Sequence, residues 1–393
     1  MDIFDKAFDW TDADLAKAAG LYPYFLPLQD TEGTEVVVEG RRILMIGSNN
    51  YLGLTTDPRV RDAAIEAVKR YGTSCTGSRF LNGTLALHQE AEERLANYVG
   101  KEAALVFSTG YQVNLGTISS LIERGDVVVL DKDDHASIVD GAMLALGETR
   151  RFSHNDMDHL DRVLEKIDDD TGVLVVVDGV YSMGGDLAPL PEIIPITKKH
   201  GARLMVDDAH SIGVMGGGRG TPAHFGVTDD VDMIMGTFSK SFASLGGFIS
   251  GEREVMDYVQ HHARSFMFSA SMPAANVAAV IASLDIMENE PEHVERLWEV
   301  TERMRAGLKK MGFEMGPSTT PIIPLIIGEF DKTLLAWKKC FEAGLYTNCV
   351  LPPGVPPDLC LLRTSYMATH TDEQIDRALN ILGEVGRELE LIE

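Results

Sequence analysis

A lysine set among hydroxyl side chains is the clearest chemical signal in this sequence. Lys240 closes the segment Gly236-Thr237-Phe238-Ser239-Lys240, which follows an apolar run. Burial at the end of a strand lowers the pKa of a lysine and favours the free amine, which forms Schiff bases with carbonyl compounds. The hydroxyls of Thr237 and Ser239 are placed to bind a phosphate group beside that amine. The segment alone is equally compatible with an ordinary solvent-facing lysine in a turn.

A carboxylate at the end of a second apolar run favours the chemical interpretation. Leu204-Met205-Val206 is followed by Asp207-Asp208-Ala209-His210. A buried Asp207 aimed at a pyridine nitrogen would keep that nitrogen protonated and make the ring an electron sink. His210 would orient this carboxylate or contact a ring oxygen. Acidic pairs after strands also bind metals, cap helices or lie in solvated loops, and Asp208 is compatible with those roles.

Two further segments place polar groups where strands are predicted to end. Ser108-Thr109-Gly110-Tyr111 follows one such strand and opens a helical pattern, so its backbone N–H groups would form an anion site. An ordinary helix cap is the alternative. Asp134-His135-Ala136-Ser137 would lay the imidazole of His135 over a flat cofactor, although a lone histidine is more often structural.

A mostly parallel α/β sheet is needed to position these segments. Short β-rich runs alternate with amphipathic helical stretches such as Asp156–Asp169 and Leu190–His200. Ligands of open α/β sheets bind beyond the carboxyl ends of the strands, so the four segments are expected to converge on one site. The predicted strands are Ala103–Phe107, Asp126–Leu130, Val173–Asp178, Arg203–Val206, Met233–Gly236 and Gly247–Ser250.

Smaller units are predicted on either side of this sheet. A hairpin of Glu35–Val38 and Ile43–Ile46 belongs to an N-terminal arm, residues 1–57. The large domain covers residues 58–272. Residues 273–393 are predicted to form a smaller α+β C-terminal domain, because helical patterns there alternate with the apolar runs Ile322–Ile327 and Leu359–Leu362.

The charge of the chain excludes several classes of function. Sixty acidic residues against 35 Lys and Arg give a formal net charge of −25, which argues against broad binding to nucleic acid or anionic membranes. The four cysteines are scattered, so neither a disulfide framework nor a metal site is expected. The acidic N-terminus does not resemble a targeting peptide, and no apolar run is long enough to span a bilayer. A cytoplasmic protein without an integral membrane segment is expected.

Together the motifs resemble those of the fold-type I pyridoxal-phosphate enzymes, and within them the α-oxoamine synthase family, over almost the full length of the chain. The resemblance implies pyridoxal 5'-phosphate as cofactor and a homodimer with shared active sites. Family members condense an amino acid with an acyl thioester and usually release CO2. The matching motifs are Ser48–Leu54, Gly110-Tyr111, Asp134–Ser137, Asp178–Asp186, Val206–Ser211 and Gly236–Lys240.

The resemblance also implies roles for individual residues. Lys240 would bind the coenzyme covalently, Asp207 would pair with its ring nitrogen, His135 would stack on the ring, and His210 would contact the phenolic oxygen. Asn50, Arg79 and Arg363 would bind substrate; Arg363, expected at the end of a strand, would hold the amino-acid carboxylate unless it forms a surface salt bridge. Further cofactor contacts are expected from Ser108, Thr109, Gly110, Tyr111, Ser182, Thr237, Ser239 and, across a dimer interface, Ser269.

One loop distinguishes among the members of the family. Thr76-Gly77-Ser78-Arg79 and His210-Ser211 resemble the bacterial serine palmitoyltransferases. That branch would join L-serine to palmitoyl-CoA, or to a carrier-protein thioester, and give 3-ketosphinganine for sphingolipid synthesis. Asp208 stands where that branch usually has Glu, and 8-amino-7-oxononanoate synthases share this Asp. That activity, 2-amino-3-ketobutyrate CoA ligase and a non-catalytic binding subunit are the alternatives.

Overall fold

The computed structural model describes residues 2–393, and strands and helices alternate through its centre. The strands are β1 Asp30–Glu32, β2 Glu35–Val38, β3 Arg41–Met45, β4 Ala103–Phe107, β5 Val127–Asp131, β6 Glu148–Phe152, β7 Val173–Asp178, β8 Arg203–Asp207, β9 Met233–Thr237, β10 Gly247–Gly251, β11 Ile322–Ile326, β12 Leu345–Tyr346, β13 Asn348–Val350 and β14 Leu361–Ser365. The helices are α1 Asp5–Phe8, α2 Asp12–Ala18, α3 Pro58–Tyr71, α4 Ala86–Val99, α5 Gly110–Leu121, α6 Ala136–Leu144, α7 Met157–Leu164, α8 Leu190–Lys199, α9 Thr221–Phe225, α10 Arg253–His262, α11 Arg264–Met267, α12 Ala274–Asn289, α13 Glu292–Met311, α14 Phe330–Glu342 and α15 Asp372–Glu388.

A seven-stranded sheet in the order β4-β10-β9-β8-β7-β5-β6 forms the centre of the molecule. Strands β6, β5, β7, β8 and β9 run parallel, and β10 is antiparallel to both β9 and β4. Val175 and Val177 face one apolar core, whereas Leu174 and Val176 of the same strand face another. Burial on both faces explains the unbroken apolar runs of these strands. The predicted mostly parallel sheet with helices on both faces is confirmed.

All six strands predicted for this sheet are present, each with its ends within one residue of the prediction. The seventh strand, β6, is missing from the prediction. Its sequence Glu148-Thr149-Arg150-Arg151-Phe152 is polar because it lies at the edge of the sheet, where only Phe152 is fully buried. The helix expected at Asp156–Asp169 is shorter than predicted and ends at Leu164.

The N-terminal hairpin shares a core with the C-terminal part of the chain. Strand β12 pairs in parallel with β3, which joins the hairpin to the C-terminal segment. Ile43 and Leu44 pack in one cluster with Trp337 and Ile375. A separate antiparallel sheet in the order β11-β14-β13 completes this smaller unit.

Helices α12 and α13 connect the two units. Helix α12 buries Val277 and Leu284 in the core of the large sheet, although the predicted boundary assigns it to the small domain. Helix α13 places Leu297 in that same core and Met304 in the small one. The domain limits 1–57, 58–272 and 273–393 therefore remain predictions.

Membrane-spanning potential can be judged for the helices of residues 2–393. None of them combines the length and the apolar character that crossing a bilayer requires.

A pair of packed aromatic rings stabilises strand β9, which precedes Lys240. Phe248 of β10 is completely buried and stacks on Phe238 with ring centroids 5.8 Å apart. We expect Phe248→Ala to destabilise the protein by about 3–5 kcal/mol, because it leaves a cavity beneath β9. Thermal unfolding followed by circular dichroism would show a lower midpoint. Phe8→Ala, at a side chain that is 75% exposed, is the matched control and should leave the midpoint unchanged. Equal midpoints for the two variants would contradict this account.

Candidate active site

A cavity of about 260 Å³ opens at the carboxyl ends of the central strands. Asp178 ends β7, Asp207 ends β8 and Thr237 ends β9, so parallel neighbours deliver their last side chains to one place. The expected convergence of the four chemical segments is present. Those predicted site residues that line the cavity are Thr109, Gly110, Tyr111, His135, Asp207, His210, Thr237, Ser239 and Lys240.

The start of helix α5 and the end of β9 form an anion cradle. Thr109 caps the helix by accepting a hydrogen bond from the backbone N–H of Gln112 (3.1 Å). Only glycine fits at position 110, because a Cβ there would lie 2.5 Å from Thr237 Oγ1. The Oγ atoms of Thr237 and Ser239 lie 3.0 Å apart at the same edge. Hydroxyl groups and free helix N–H groups thus surround a space suited to a phosphate.

The buried carboxylate of Asp207 accepts two hydrogen bonds. Asn114 Nδ2 donates to its Oδ2 (2.6 Å), and the backbone N–H of Ala209 donates to its Oδ1 (3.0 Å). Such donors stabilise the ionised form. Asn114 lies on α5, one turn after the anion cradle, and its Nδ2 also lies 2.9 Å from Ser137 Oγ. The carboxylate is therefore held in a fixed position facing the cavity.

Lys240 follows β9 and presents its amine to the cavity. Burial lowers the pKa of the amine to about 8, and the charge of Arg363 acts in the same direction. Asp207 and Asp178 oppose this effect, but burial outweighs them. The amine thus has the lowered pKa that Schiff-base formation at neutral pH requires.

Two histidines border the cavity with fixed rings. Nδ1 of His135 lies 2.7 Å from Ser137 Oγ at the start of α6, and burial lowers the pKa of this imidazole. Nδ1 of His210 lies 2.7 Å from Tyr51 Oη, and burial lowers its pKa well below the ordinary value. Both rings are therefore neutral at pH 7, and each is oriented by a hydroxyl group.

Six predicted site residues lie outside the cavity lining of the single chain: Asn50, Ser108, Ser182 and Ser269, and the two arginines Arg79 and Arg363. Ser108 Oγ donates to the carbonyl of Ala270, and the carbonyl of Ser182 accepts from Arg363 Nε (2.6 Å). Ser269 Oγ accepts from Gln112 Nε2 (3.0 Å), which places it beside helix α5. Asn50 is buried and donates from Nδ2 to Thr55 Oγ1 (2.8 Å). Their expected roles toward coenzyme and substrate stay predictions.

Arg79 forms a buried ion pair within its own chain. Both terminal nitrogens of its guanidinium bind the carboxylate of Glu92, at 2.7 and 3.0 Å, and Nε donates to Thr84 Oγ1. The pair is largely buried and clamps the loop before α4 onto that helix. Arg79 thus fixes the loop, and its expected role in binding substrate stays a prediction.

Arg363 is more deeply placed than expected. It is the third residue of β14 rather than its last, and only 4% of it is exposed. Its charge lowers the pKa of both Lys240 and His210, so it lies near these two groups although it does not line the cavity itself. Within residues 2–393 no carboxylate lies within salt-bridge distance of it, which rules out the surface salt bridge considered above. Its charge remains available for an anionic ligand.

Sequence reasoning missed several residues of the site. Asp178 lines the cavity, and Asn114, Ser137 and Tyr51 orient the residues that do so. All four stand within or beside motifs recognised in the sequence. The roles of Asn114 and Tyr51 depend on contacts with distant segments, which the spacing of residues does not reveal, whereas Ser137 contacts His135 within the same motif.

The donors and acceptors of the cavity match pyridoxal phosphate. The anion cradle suits its phosphate, the Asp207 carboxylate its pyridine nitrogen, and the Lys240 amine its aldehyde. In contrast, the part of the chain that the structure describes contains no cluster of three or more His, Cys, Asp or Glu side chains arranged to bind a metal.

Comparisons with known proteins agree with this match to pyridoxal phosphate. A model of the aminotransferase class I and II family matches residues 41–382. The serine palmitoyltransferase of Sphingobacterium spiritivorum is 50% identical over 95% of this chain and 94% of its own. The 8-amino-7-oxononanoate synthase of Symbiobacterium thermophilum is 42% identical over 96% of each chain. A solved serine palmitoyltransferase variant from S. paucimobilis, with a bound PLP–myriocin aldimine, has a TM-score of 0.96 at 37% identity over 100% of both chains.

These matches confirm the predicted fold class and cofactor. The fold is that of the fold-type I enzymes, and pyridoxal phosphate is the cofactor that its cavity and its relatives share. The chain belongs to the aminotransferase class I and II family, and within it to the pyridoxal-phosphate-dependent acyltransferases known as α-oxoamine synthases.

Proposed function

We propose that this enzyme condenses L-serine with palmitoyl-CoA and releases CoA, CO2 and 3-ketosphinganine. The observation that carries the proposal is the 50% identity to a serine palmitoyltransferase, against 42% to an 8-amino-7-oxononanoate synthase, in a chain whose cavity contains Lys240, Asp207, His135 and His210. A carrier-protein thioester is the alternative acyl donor.

The loop that resembles serine palmitoyltransferases is tightly packed against the segment that contains Ser271. A Cβ at Gly77 would overlap the side chain of Asn82, and a Cβ at Gly83 would overlap Ser271. The backbone N–H of Ser271 donates to the carbonyl of Gly77 (2.9 Å). The loop is thereby joined to the segment that contains Ser269. This packing supports a role for the loop in shaping the substrate pocket.

The coenzyme supplies an electron sink that stabilises negative charge on the α-carbon of the amino acid. Thr109, Gly110, Tyr111, Thr237 and Ser239 would hold its phosphate. Asp207 would keep its ring nitrogen protonated, because the carboxylate is itself fixed by two donors.

Substrate binding and proton transfer depend on charged and basic side chains of this protein. Arg363 would bind the carboxylate of L-serine through charge-assisted hydrogen bonds. The Lys240 amine would accept the α-proton, since its pKa of about 8 leaves part of the amine unprotonated at neutral pH. The α-carbon would then form a bond to the thioester carbonyl carbon as CoA leaves as the thiolate, the carboxylate would depart as CO2, and the proton held by Lys240 would return to the α-carbon to give the amino ketone.

The working unit is proposed to be a homodimer with shared active sites in the cytoplasm. Ser269 and Asn50 lie outside the cavity lining of their own chain, as expected of residues that serve a neighbouring site. The four cysteines are all unpaired, which suits a reducing compartment.

Two other functions make different demands on the site. An 8-amino-7-oxononanoate synthase would use L-alanine and a pimeloyl thioester, and Asp208 is compatible with it. Asp208 accepts from the backbone N–H of Thr221 at the start of α9, so its role here is structural. A non-catalytic subunit is disfavoured because Lys240, Asp207 and His135 are all present in one cavity.

The rate at which the apo-protein binds pyridoxal phosphate covalently is expected to rise with pH and level off above about pH 8. Only the free amine attacks the aldehyde, and the Lys240 amine is mostly protonated below its pKa of about 8. Stopped-flow absorption would measure this rate, and borohydride reduction with peptide mapping should place the label on Lys240. A rate still rising steeply above about pH 9, as for an ordinary lysine, would contradict the lowered pKa.

L-Serine should perturb the absorption band of the holoenzyme more strongly than L-alanine or glycine. A site that hydrogen-bonds the serine hydroxyl leaves polar groups unpaired when that hydroxyl is missing. Release of free CoA from palmitoyl-CoA would measure turnover. Faster turnover of L-alanine with a pimeloyl thioester would replace the proposal with the biotin-pathway activity. An inactive, well-folded holoenzyme would favour a binding subunit.

A mixture of Lys240→Ala and Ser269→Ala chains tests the shared site. If Ser269 serves the neighbouring subunit, each heterodimer has one doubly damaged site and one intact site. We expect coenzyme affinity in the mixture to recover to the wild-type value at up to half of the sites. A fully active monomer in sedimentation, or no recovery on mixing, would argue against the shared homodimer.

A further inference from the structure

A second carboxylate lies beside the one assigned to the coenzyme. Asp178 and Asp207 are the last residues of β7 and β8, are paired in register, and line the same cavity. Both are buried, at 4% exposure each. Their surroundings differ: Asp207 accepts two hydrogen bonds, whereas Asp178 Oδ1 is buried and has no partner among residues 2–393.

The groups that face Asp178 are mostly acidic. Asp207 lies on the adjacent strand, and Asp134, before α6, accepts the backbone N–H of Asp178 (3.0 Å). Asp131 lies at the end of β5 on the other side. The cation facing Asp178 is Lys240, which Asp207 also faces.

A nearby histidine does not balance these charges. His154 binds Asp131 at 2.9 Å and Asp186 at 2.8 Å, and these two carboxylates raise its pKa to about 10. Its positive charge is therefore neutralised by two carboxylates that do not line the cavity. Within the part of the chain that the structure describes, Lys240 is the cation that faces both cavity carboxyl groups. Two like charges side by side in a buried site are strongly disfavoured.

We propose that Asp178 is a neutral carboxylic acid that donates a hydrogen bond to an acceptor atom of the ligand in this cavity, while Asp207 alone carries the negative charge. The assignment follows the donors: the Asp207 carboxylate accepts from a side-chain amide and a backbone N–H and holds the charge, whereas Asp178 faces only the backbone N–H of His135 and its Oδ1 has no partner among residues 2–393. Burial and the charge of Asp207 raise the pKa of the Asp178 carboxyl well above its ordinary value.

A neutral Asp178 also has a consequence for Lys240. An ionised carboxylate at this position would favour the protonated amine and remove the free form that attacks an aldehyde. Asp178 would then be a ligand contact that also keeps Lys240 reactive. The inference rests on the proposed use of the coenzyme but not on the choice of amino acid or thioester.

Infrared difference spectra of the apo-protein at pH 7 test the protonation state directly. Asp178→Asn should remove a carbonyl band of a protonated carboxyl group, whereas Asp207→Asn, the matched control, should remove a carboxylate band. Loss of a carboxylate band in Asp178→Asn would overturn the proposal. If that variant does not fold, Asp178→Glu, which keeps a carboxyl group, should shift a protonated-carboxyl band, and a shift of a carboxylate band instead would overturn the proposal equally. Asp134→Asn and Asp208→Asn identify the bands of two other buried carboxyl groups whose pKa burial raises.

Coenzyme binding tests the donor role. Asp178→Asn replaces one neutral donor with another, so the pH midpoint of covalent attachment should equal that of the wild-type protein. Removing an ionised carboxylate would lower that midpoint by about 1–3 units. Asp178→Ala should bind pyridoxal phosphate about three- to tenfold more weakly than Asp178→Asn, since it loses the donor. Equal affinities, or a lowered midpoint in Asp178→Asn, would refute the inference. Neither measurement uses an amino acid or a thioester, so the proposed reaction is tested separately.

Discussion

The hydrogen bond from Asn114 to Asp207 holds the active site together. Asn114 belongs to α5, the helix whose first turn forms the anion cradle, and Asp207 ends a strand in the middle of the sheet. The same amide lies within hydrogen-bonding distance of Ser137, whose hydroxyl orients His135. One buried amide therefore fixes the spacing between a phosphate site, a carboxylate and an imidazole. Lys240 and His210 complete an arrangement whose geometry this contact defines.

The sequence was most informative about features that depend on the burial of a single segment. Strands buried on both faces must be apolar throughout, so six were predicted to within one residue, whereas the edge strand β6 has polar residues and was missed. Lys240, Asp207 and His135 were identifiable because the ends of parallel strands lie together.

Contacts between distant segments could not be predicted in this way. Arg79 stands in a motif that resembles a substrate loop, but Glu92, one helix further on, occupies its guanidinium. Arg363 was expected at the end of a strand, yet it lies within β14 and binds the carbonyl of Ser182 from the other unit. Both outcomes depend on tertiary partners that have no signature in the spacing of either residue.

Helix α13 has a mechanical consequence for the enzyme. Its 20 residues form a rod about 30 Å long whose first half is embedded in one apolar core and whose second half is embedded in the other. A rigid rod anchored at both ends transmits force rather than absorbing it. A rotation of the small unit, which contains Arg363, relative to the large unit, which contains Lys240, would therefore have to bend this helix or displace one of its two halves from its core.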